Sequence, residues 1–322
     1  MEKKLNRINN FQTIREAEQK SKKKIRKGTF NWLNSAAEDG STHKKNIKDL
    51  SDIRIIPKIL KFSKKHPLNI KQKIFGINFD FPIVLCPMGH QTQFESNGEL
   101  STARGSSNEG IPAFFSTQGR IGFDYLKKKI PKSNFAWQIF PFGDKKWIEN
   151  EIRRAEKNQS FALSFCFDAP VRSHRYLDRE SGYDARKYGK RIYPVSPDAS
   201  MALNYDWDFL KWVKNKTKLR IIPKGLVDVD DIKRCIKFKC DGIWISNHGG
   251  RMFNSGISSV DIMKNIRKVE RKIPIIVDGG VKKGTDIIKY LCLGANIVGV
   301  GRAAIYGLIC DGDKGVSKIF NI

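Results

Sequence analysis

"PIIVDGGVKKGTDIIKYLCLGANIVGVGR", residues 274–302, is the stretch on which the fold turns. A short run rich in β-branched residues, Pro274–Val277, ends in Asp278-Gly279-Gly280. A helix-like segment, "GTDIIKYLCLG", opens near Thr285 and closes at Gly294. A second run, Ile297–Val300, then ends in Gly301-Arg302. Runs this short and apolar throughout are what strands buried on both faces require, and strand–helix–strand is the unit of a parallel sheet.

Working outward, the same unit recurs. Upstream runs stand at Ile83–Pro87, Ala113–Ser116, Ala136–Phe140, Ala162–Phe167, Arg220–Lys224 and Gly242–Ser246, so eight runs alternate with amphipathic stretches such as "DKKWIENEIRRAEKN" and "DVDDIKRCIKFK". Eight nearly regular units predict an α/β fold closed as a (β/α)8 TIM barrel, in preference to an open doubly wound sheet. Residues 1–322 read as a single barrel domain. Two parts stand outside the repeat. Residues 1–75 read as a helical and extended lead-in. Residues 169–219 form one long connection that reads as an active-site loop or lid, with a helix resuming over Asp206–Lys214.

Lys and Arg number 60 against 33 Asp and Glu, a net charge of +27. Residues 1–66 alone hold 18 basic and 7 acidic side chains. Such a surplus attracts nucleic acid or anionic membrane. Aromatic residues do not interleave with the basic run "KSKKKIRK", however, so nucleic acid is disfavoured and a lysine-rich surface is the plainer reading. No run of eighteen apolar residues and no apolar amino-terminal segment is present, and six cysteines occur without a CxxC pair. These point to a cytoplasmic protein with reduced thiols and no zinc site, with contact at a membrane surface left open.

Barrel active sites lie at the carboxyl ends of the strands. Here those ends carry Met88, Gly89 and His90, then Ser116, then Gln138 and Phe140, then Asp168. Lys224, Ser246 with Asn247 and His248, Asp278 with Gly279 and Gly280, and Gly301 with Arg302 follow. The two glycine turns after the last two strands, with Lys282 and Arg302 beside them, are where barrels hold a phosphate on exposed amides.

"SNHGGR" (246–251), "IPIIVDGGVKKGTDIIKYLCLGANIVGVGR", "NGELSTARGSSNEG", "FDAP" and "PKGLVDVDDI" resemble the FMN-dependent α-hydroxy acid oxidases and dehydrogenases, over residues 28–310. These include glycolate oxidase, lactate oxidase, and lactate and mandelate dehydrogenases. The resemblance implies FMN as cofactor and a small carboxylate substrate. It also implies an electron acceptor (oxygen, a quinone or a carrier) and a homo-oligomer. It matches His248 to the base that takes a proton from the substrate and Asp168 to its carboxylate partner. Arg175 and Arg251 match the two arginines that clamp the substrate carboxylate. Lys224 matches the lysine beside flavin N1. Met88, Gly89, Ser116, Gln138, Cys166 and Ser246 stand at flavin-ring positions. Asp278, Gly279, Gly280, Lys282, Gly301 and Arg302 stand at ribityl and phosphate positions.

The departures fall on the substrate wall. Trp32 and Phe140 replace two tyrosines that hydrogen-bond the substrate, Cys166 replaces a threonine, and Lys282 replaces an arginine. A bulky or aromatic 2-hydroxy acid is therefore the expected substrate. Two competing functions are an FMN-dependent oxidase of a modified peptide or amino-acid substrate, and a basic scaffold with a vestigial flavin site.

Overall fold

The computed structural model describes residues 11–60, 69–193, 205–266 and 272–322. Three helices lead in: α1 (Ile14–Lys24), α2 (Lys27–Asn34) and α3 (Ser41–Asp52), followed by a hairpin of β1 (Gln72–Ile74) and β2 (Ile77–Phe79). The repeat then runs β3 (Ile83–Leu85), α4 (Glu99–Asn108), β4 (Ala113–Ser116), α5 (Phe123–Lys129), β5 (Phe135–Ile139), α6 (Lys145–Lys157) and β6 (Leu163–Cys166). The connection carries α7 (Tyr176–Glu180) and α8 (Trp207–Lys216). After it come β7 (Ile221–Leu226), α9 (Val229–Lys237), β8 (Ile243–Ile245), α10 (Ser259–Ile266), β9 (Ile275–Val277), α11 (Gly284–Cys292), β10 (Ile297–Val300) and α12 (Arg302–Asn321).

The eight strands β3 to β10 close into a parallel barrel, β10 pairing with β3. Their period-two alternation sorts side chains into two layers. Val84, Phe114, Ala136, Ile222, Trp244, Ile276 and Ile297 share one cluster with Phe75 and Phe79 of the hairpin. Phe115, Trp137, Phe165, Ile245, Ile275 and Val277 pack with the helices in another. The helices follow from their caps and stripes. In α6, Asp144 accepts the Trp147 N–H, and Ile148, Glu151, Ile152 and Ala155 form the buried face. In α9, Asp228 accepts from Asp230 and Asp231.

The hairpin is the part that sequence patterning does not show. Gln72 donates to the Asn296 carbonyl just before β10, Gly76 lies against Arg220 just before β7, and Gly242 against Phe75 just before β8. These are all amino ends of strands, so the hairpin plugs the bottom of the barrel. The first lead-in helix, α1, braces the last helix, α12. Ser21 donates to the Tyr306 carbonyl and Lys24 to the Cys310 carbonyl, where α12 kinks at Asp311 and Gly312.

The described part of the long connection is tied down. Tyr183 accepts a hydrogen bond from Thr29 and donates to Gln93, and Thr92 donates to the Lys190 carbonyl. Residues 194–204 of the connection lie outside the described residues. Among the described residues no helix is long and apolar enough to cross a membrane, and all six cysteines are free thiols.

Candidate active site at the carboxyl end of the barrel

Register brings the strand ends together: Ser116 lies beside Gln138, and Cys166 beside Lys224, which in turn pairs with Trp244. A single cleft of about 1220 Å³ opens there. Met88 and Gly89 after β3, Ser116, Gln138, Phe140, Lys224, His248 and Arg251 line it. So do Asp278, Gly279, Gly280, Lys282, Gly301 and Arg302, with Trp32 from α2 and Arg175 from the long connection. Cys166, Asp168 and Ser246 stand behind these walls: Asp168 is bonded to His248 and Ser246 to Lys224, which line them, and Cys166 is bonded to Asp168.

Lys224 anchors the floor. Its Nζ donates to Ser246 Oγ at 2.7 Å and lies 3.4 Å from Asp278 Oδ2, while Ser246 donates to Asp278 Oδ1 and Trp244 Nε1 to Oδ2. Burial works against the lysine's charge. Asp278, and then Asp168, outweigh it and raise its pKa, so a fixed cation stands at the barrel mouth. The strand ends in a bulge at Gly225, where a β-carbon would meet the Asp168 side chain at 2.5 Å. Only glycine lets β7 pass that carboxylate.

After β8 the chain turns through His248–Gly250, with His248 itself left-handed at φ 56°. Asn247 accepts from the Gly250 N–H and exchanges two 2.8 Å hydrogen bonds with Asn46 of α3. The loop is thereby pinned to the lead-in. His248 Nδ1 lies 3.0 Å from Asp168 Oδ1, which leaves Nε2 for the cleft. Burial would raise the Asp168 pKa, but His248 and Lys224 together lower it far enough to keep the carboxylate charged. Cys166 donates to the same oxygen at 3.0 Å, and burial, then Asp168, pushes its thiol pKa well up.

Two of the cleft's arginines, Arg251 and Arg302, sit away from carboxylates. Arg251 Nη1 donates to the carbonyls of Trp32, Leu33 and Ser35, and its guanidinium lies 5.1 Å over the Trp32 ring. Arg302 donates to the Gly249 carbonyl and contacts His43 Nδ1 at 2.9 Å. Among the described residues neither has a carboxylate at ion-pair distance. Burial presses down the pKa of both, a cost that a bound anion relieves. Arg175 is shared between Ser173 and, at 3.6 Å, Asp178. At the β9 turn Gly280 has φ 77°, and a β-carbon there would meet the Asn46 carbonyl at 2.7 Å.

The family model for FMN-dependent dehydrogenases matches residues 21–322. The chain belongs to this family. A 2-hydroxyacid oxidase of Dictyostelium discoideum is 30% identical over 99% of this chain and 86% of its own. An L-lactate dehydrogenase of Stenotrophomonas maltophilia is 27% identical over 91% of this chain and 87% of its own. In fold, the chain is similar to a mandelate oxidase variant solved with (S)-mandelic acid. That likeness has a TM-score of 0.90 at 24% identity, over 97% of this chain and 91% of the other.

This FMN-dependent dehydrogenase has residues that fit the cofactor. The open space at Gly301, the Gly280 turn and buried Arg302 suit a phosphate, and the buried Lys224 suits a ring that gains negative charge. Several wall residues escape sequence reasoning. Phe142 and Trp147 extend the wall beyond Phe140, while His43, Gln118, Tyr183 and Arg191 reach the cleft from segments with no motif. His43 lies on α3, 259 positions before Arg302, and nothing local marks it as a site residue.

Proposed function

We propose that the 2-hydroxy acid this FMN-dependent enzyme turns into a 2-oxo acid carries a bulky or aromatic side chain. The observation that carries the proposal is the wall beside the histidine. Phe140 packs 6.2 Å from the His248 ring and 5.4 Å from Phe142, with Trp147 lining the same cleft. Typical ligand pockets measure ~300–1000 Å³, and this cleft exceeds that range, leaving room for cofactor and a large acid together.

In this reading Arg251 and Arg175 receive the substrate carboxylate, the buried Arg251 gaining most because an anion offsets its desolvation. His248 Nε2 removes a proton from the substrate, and Asp168 holds the ring through Nδ1 and stabilises the imidazolium that results. FMN, when bound, supplies the two-electron acceptor chemistry. Gly280, Gly301, Lys282 and Arg302 would hold its phosphate, and Lys224, Gln138, Ser116 and the Met88–Gly89 turn its ring. The aromatic wall and the connection over it exclude water from the reacting carbon. The same reading includes a homo-oligomer in the cytoplasm, a residue 169–219 segment that covers the site, and a final acceptor drawn from oxygen, a quinone or a carrier protein. The free thiols support the compartment.

Anaerobic flavin reduction across a series of 2-hydroxy acids tests it. Trp32 and Phe140 offer no phenol, and a hydrogen bond to a charged group contributes about 1.5–3 kcal/mol. Small acids such as lactate should therefore reduce the flavin slowly, and Phe140→Tyr should speed them. Fast reduction by lactate, with no gain from Phe140→Tyr, would refute the proposal.

A further inference from the structure

We propose that His43 fixes Arg302 for the cofactor phosphate, and that the preference of this chain for FMN over a flavin without phosphate depends on it. The inference rests on the reading of Gly280, Gly301, Lys282 and Arg302 as the phosphate site. It adds to them a positioning residue that neither a motif nor a strand end marks.

One turn of α3 touches both glycine turns at the mouth. After β8, Gly250 has φ 75°, and a β-carbon there would collide with the backbone nitrogen of His43. After β9, a β-carbon at Gly280 would stand 2.7 Å from the Asn46 carbonyl. Residues three apart share one helix face, so His43 and Asn46 present a single surface to the two turns. His43 lines the cleft together with Gly280, Lys282, Gly301 and Arg302.

Both ring nitrogens face the guanidinium. Arg302 Nη2 lies 2.9 Å from His43 Nδ1 and Nη1 3.4 Å from Nε2, while Nη2 also donates to the Gly249 carbonyl. Arginine only donates, so a ring nitrogen that meets it this closely carries no proton. The surroundings enforce that state. Burial, then Arg302 on α12, Lys282 after β9 and Arg251 after β8, brings the His43 pKa to about 3, against the pull of the Gly249 carbonyl. At neutral pH the ring is therefore an uncharged acceptor for Arg302. The second cation is poorly placed to share the work. Lys282 replaces an arginine of the family, offers an ammonium instead of a planar fork, and is drawn to Glu18 of α1 at 3.3 Å. Arg302 is thus the fork that a phosphate would meet, and His43 and the Gly249 carbonyl set its orientation. Without the ring, a side chain with many rotamers loses one of those two anchors, and holding it ready for an anion costs more entropy.

The test uses the FMN-loaded full chain. Dilution releases the flavin, whose fluorescence gives the dissociation constant, and protein reloaded with riboflavin gives the value without the phosphate. His43→Leu should weaken FMN about tenfold or more, the loss of one hydrogen bond to a charged group, and riboflavin less than about threefold. His43→Ala carries the same expectation should the leucine variant not fold. His43→Gln, whose side-chain carbonyl can accept from Arg302, should hold FMN within about threefold of the wild type. The phosphorus NMR resonance of bound FMN should move in His43→Leu and return in His43→Gln. Unchanged FMN affinity, an unmoved resonance, or equal losses for FMN and riboflavin would overturn the role of His43 and leave the phosphate site standing. Wild-type protein that holds riboflavin as tightly as FMN would overturn the phosphate site itself, and the role of His43 with it.

Discussion

His248 ties local chemistry to the fold more directly than any other residue. Its strained loop position is held by Asn247 and Asn46, and its ring by Asp168. His248→Ala should leave FMN bound and slow substrate-driven flavin reduction by about 10²–10⁴-fold, the usual value of a positioned base. Retained flavin content with unchanged single-turnover reduction would remove the histidine from that role. His43 and His90 belong to a different class, since both are partly buried beside cations. Burial, then Arg302, Lys282 and Arg251, brings His43 to about 3, and His90 stands at about 4. Their folded pKa values lie below the unfolded value of ~6.5, so the unfolded chain binds more protons between those limits. The stability they contribute is whole above pH ~6.5 and is lost as pH falls toward 4 and 3, by up to about 1.4 kcal/mol per pH unit for each ring. Urea unfolding at pH 7.5, 6 and 5 should show this decline, and His43→Leu should flatten it measurably. "SNHGGR" made His248 legible from sequence. His43 was not, because a single histidine on an amphipathic helix has no local sign of the arginine it will meet.

Elements carried most of what could be read in advance. Strands β4 and β10 begin and end where their apolar runs do, and α6 starts at the Asp144 cap. Short buried strands and capped helices are local consequences of composition, so they survive without knowledge of the whole. The glycine turn after β9 is the element with the sharpest demand. Gly280→Ala would hold an L residue at φ 77°, costing roughly 1–2 kcal/mol, and would drive a methyl into the Asn46 carbonyl. We expect this variant to lose affinity for FMN about tenfold or more, measured by quenching of flavin fluorescence, and to lose much less for riboflavin, which lacks the phosphate. Equal losses for the two ligands would place the phosphate elsewhere. The hairpin β1–β2 escaped the pattern because three-residue strands give period two too little length to show.

At the scale of the molecule, the barrel has a plugged floor and an open, cationic mouth. Phe79 is 1% exposed in the cluster that fills the barrel's interior. Phe79→Ala should cost about 3–5 kcal/mol, seen as a lower urea midpoint, while the flavin spectrum of the surviving folded protein stays unchanged. A shifted flavin spectrum would mean that floor and mouth are coupled. The sequence by itself determined the eight-fold alternation, the closed parallel sheet, the polar set at the strand ends and the FMN-dependent family. Each of these depends on short-range order: a period, a cap, a glycine turn, a six-residue motif. The tertiary structure alone decided which distant segments share the cleft. It brought His43 to Arg302, Asn46 to Asn247, and Arg191 to the turns after β3 and β4. Those meetings come from closing a ring of strands and folding a long connection over it, and no local pattern encodes the distance between residues that only closure makes neighbours.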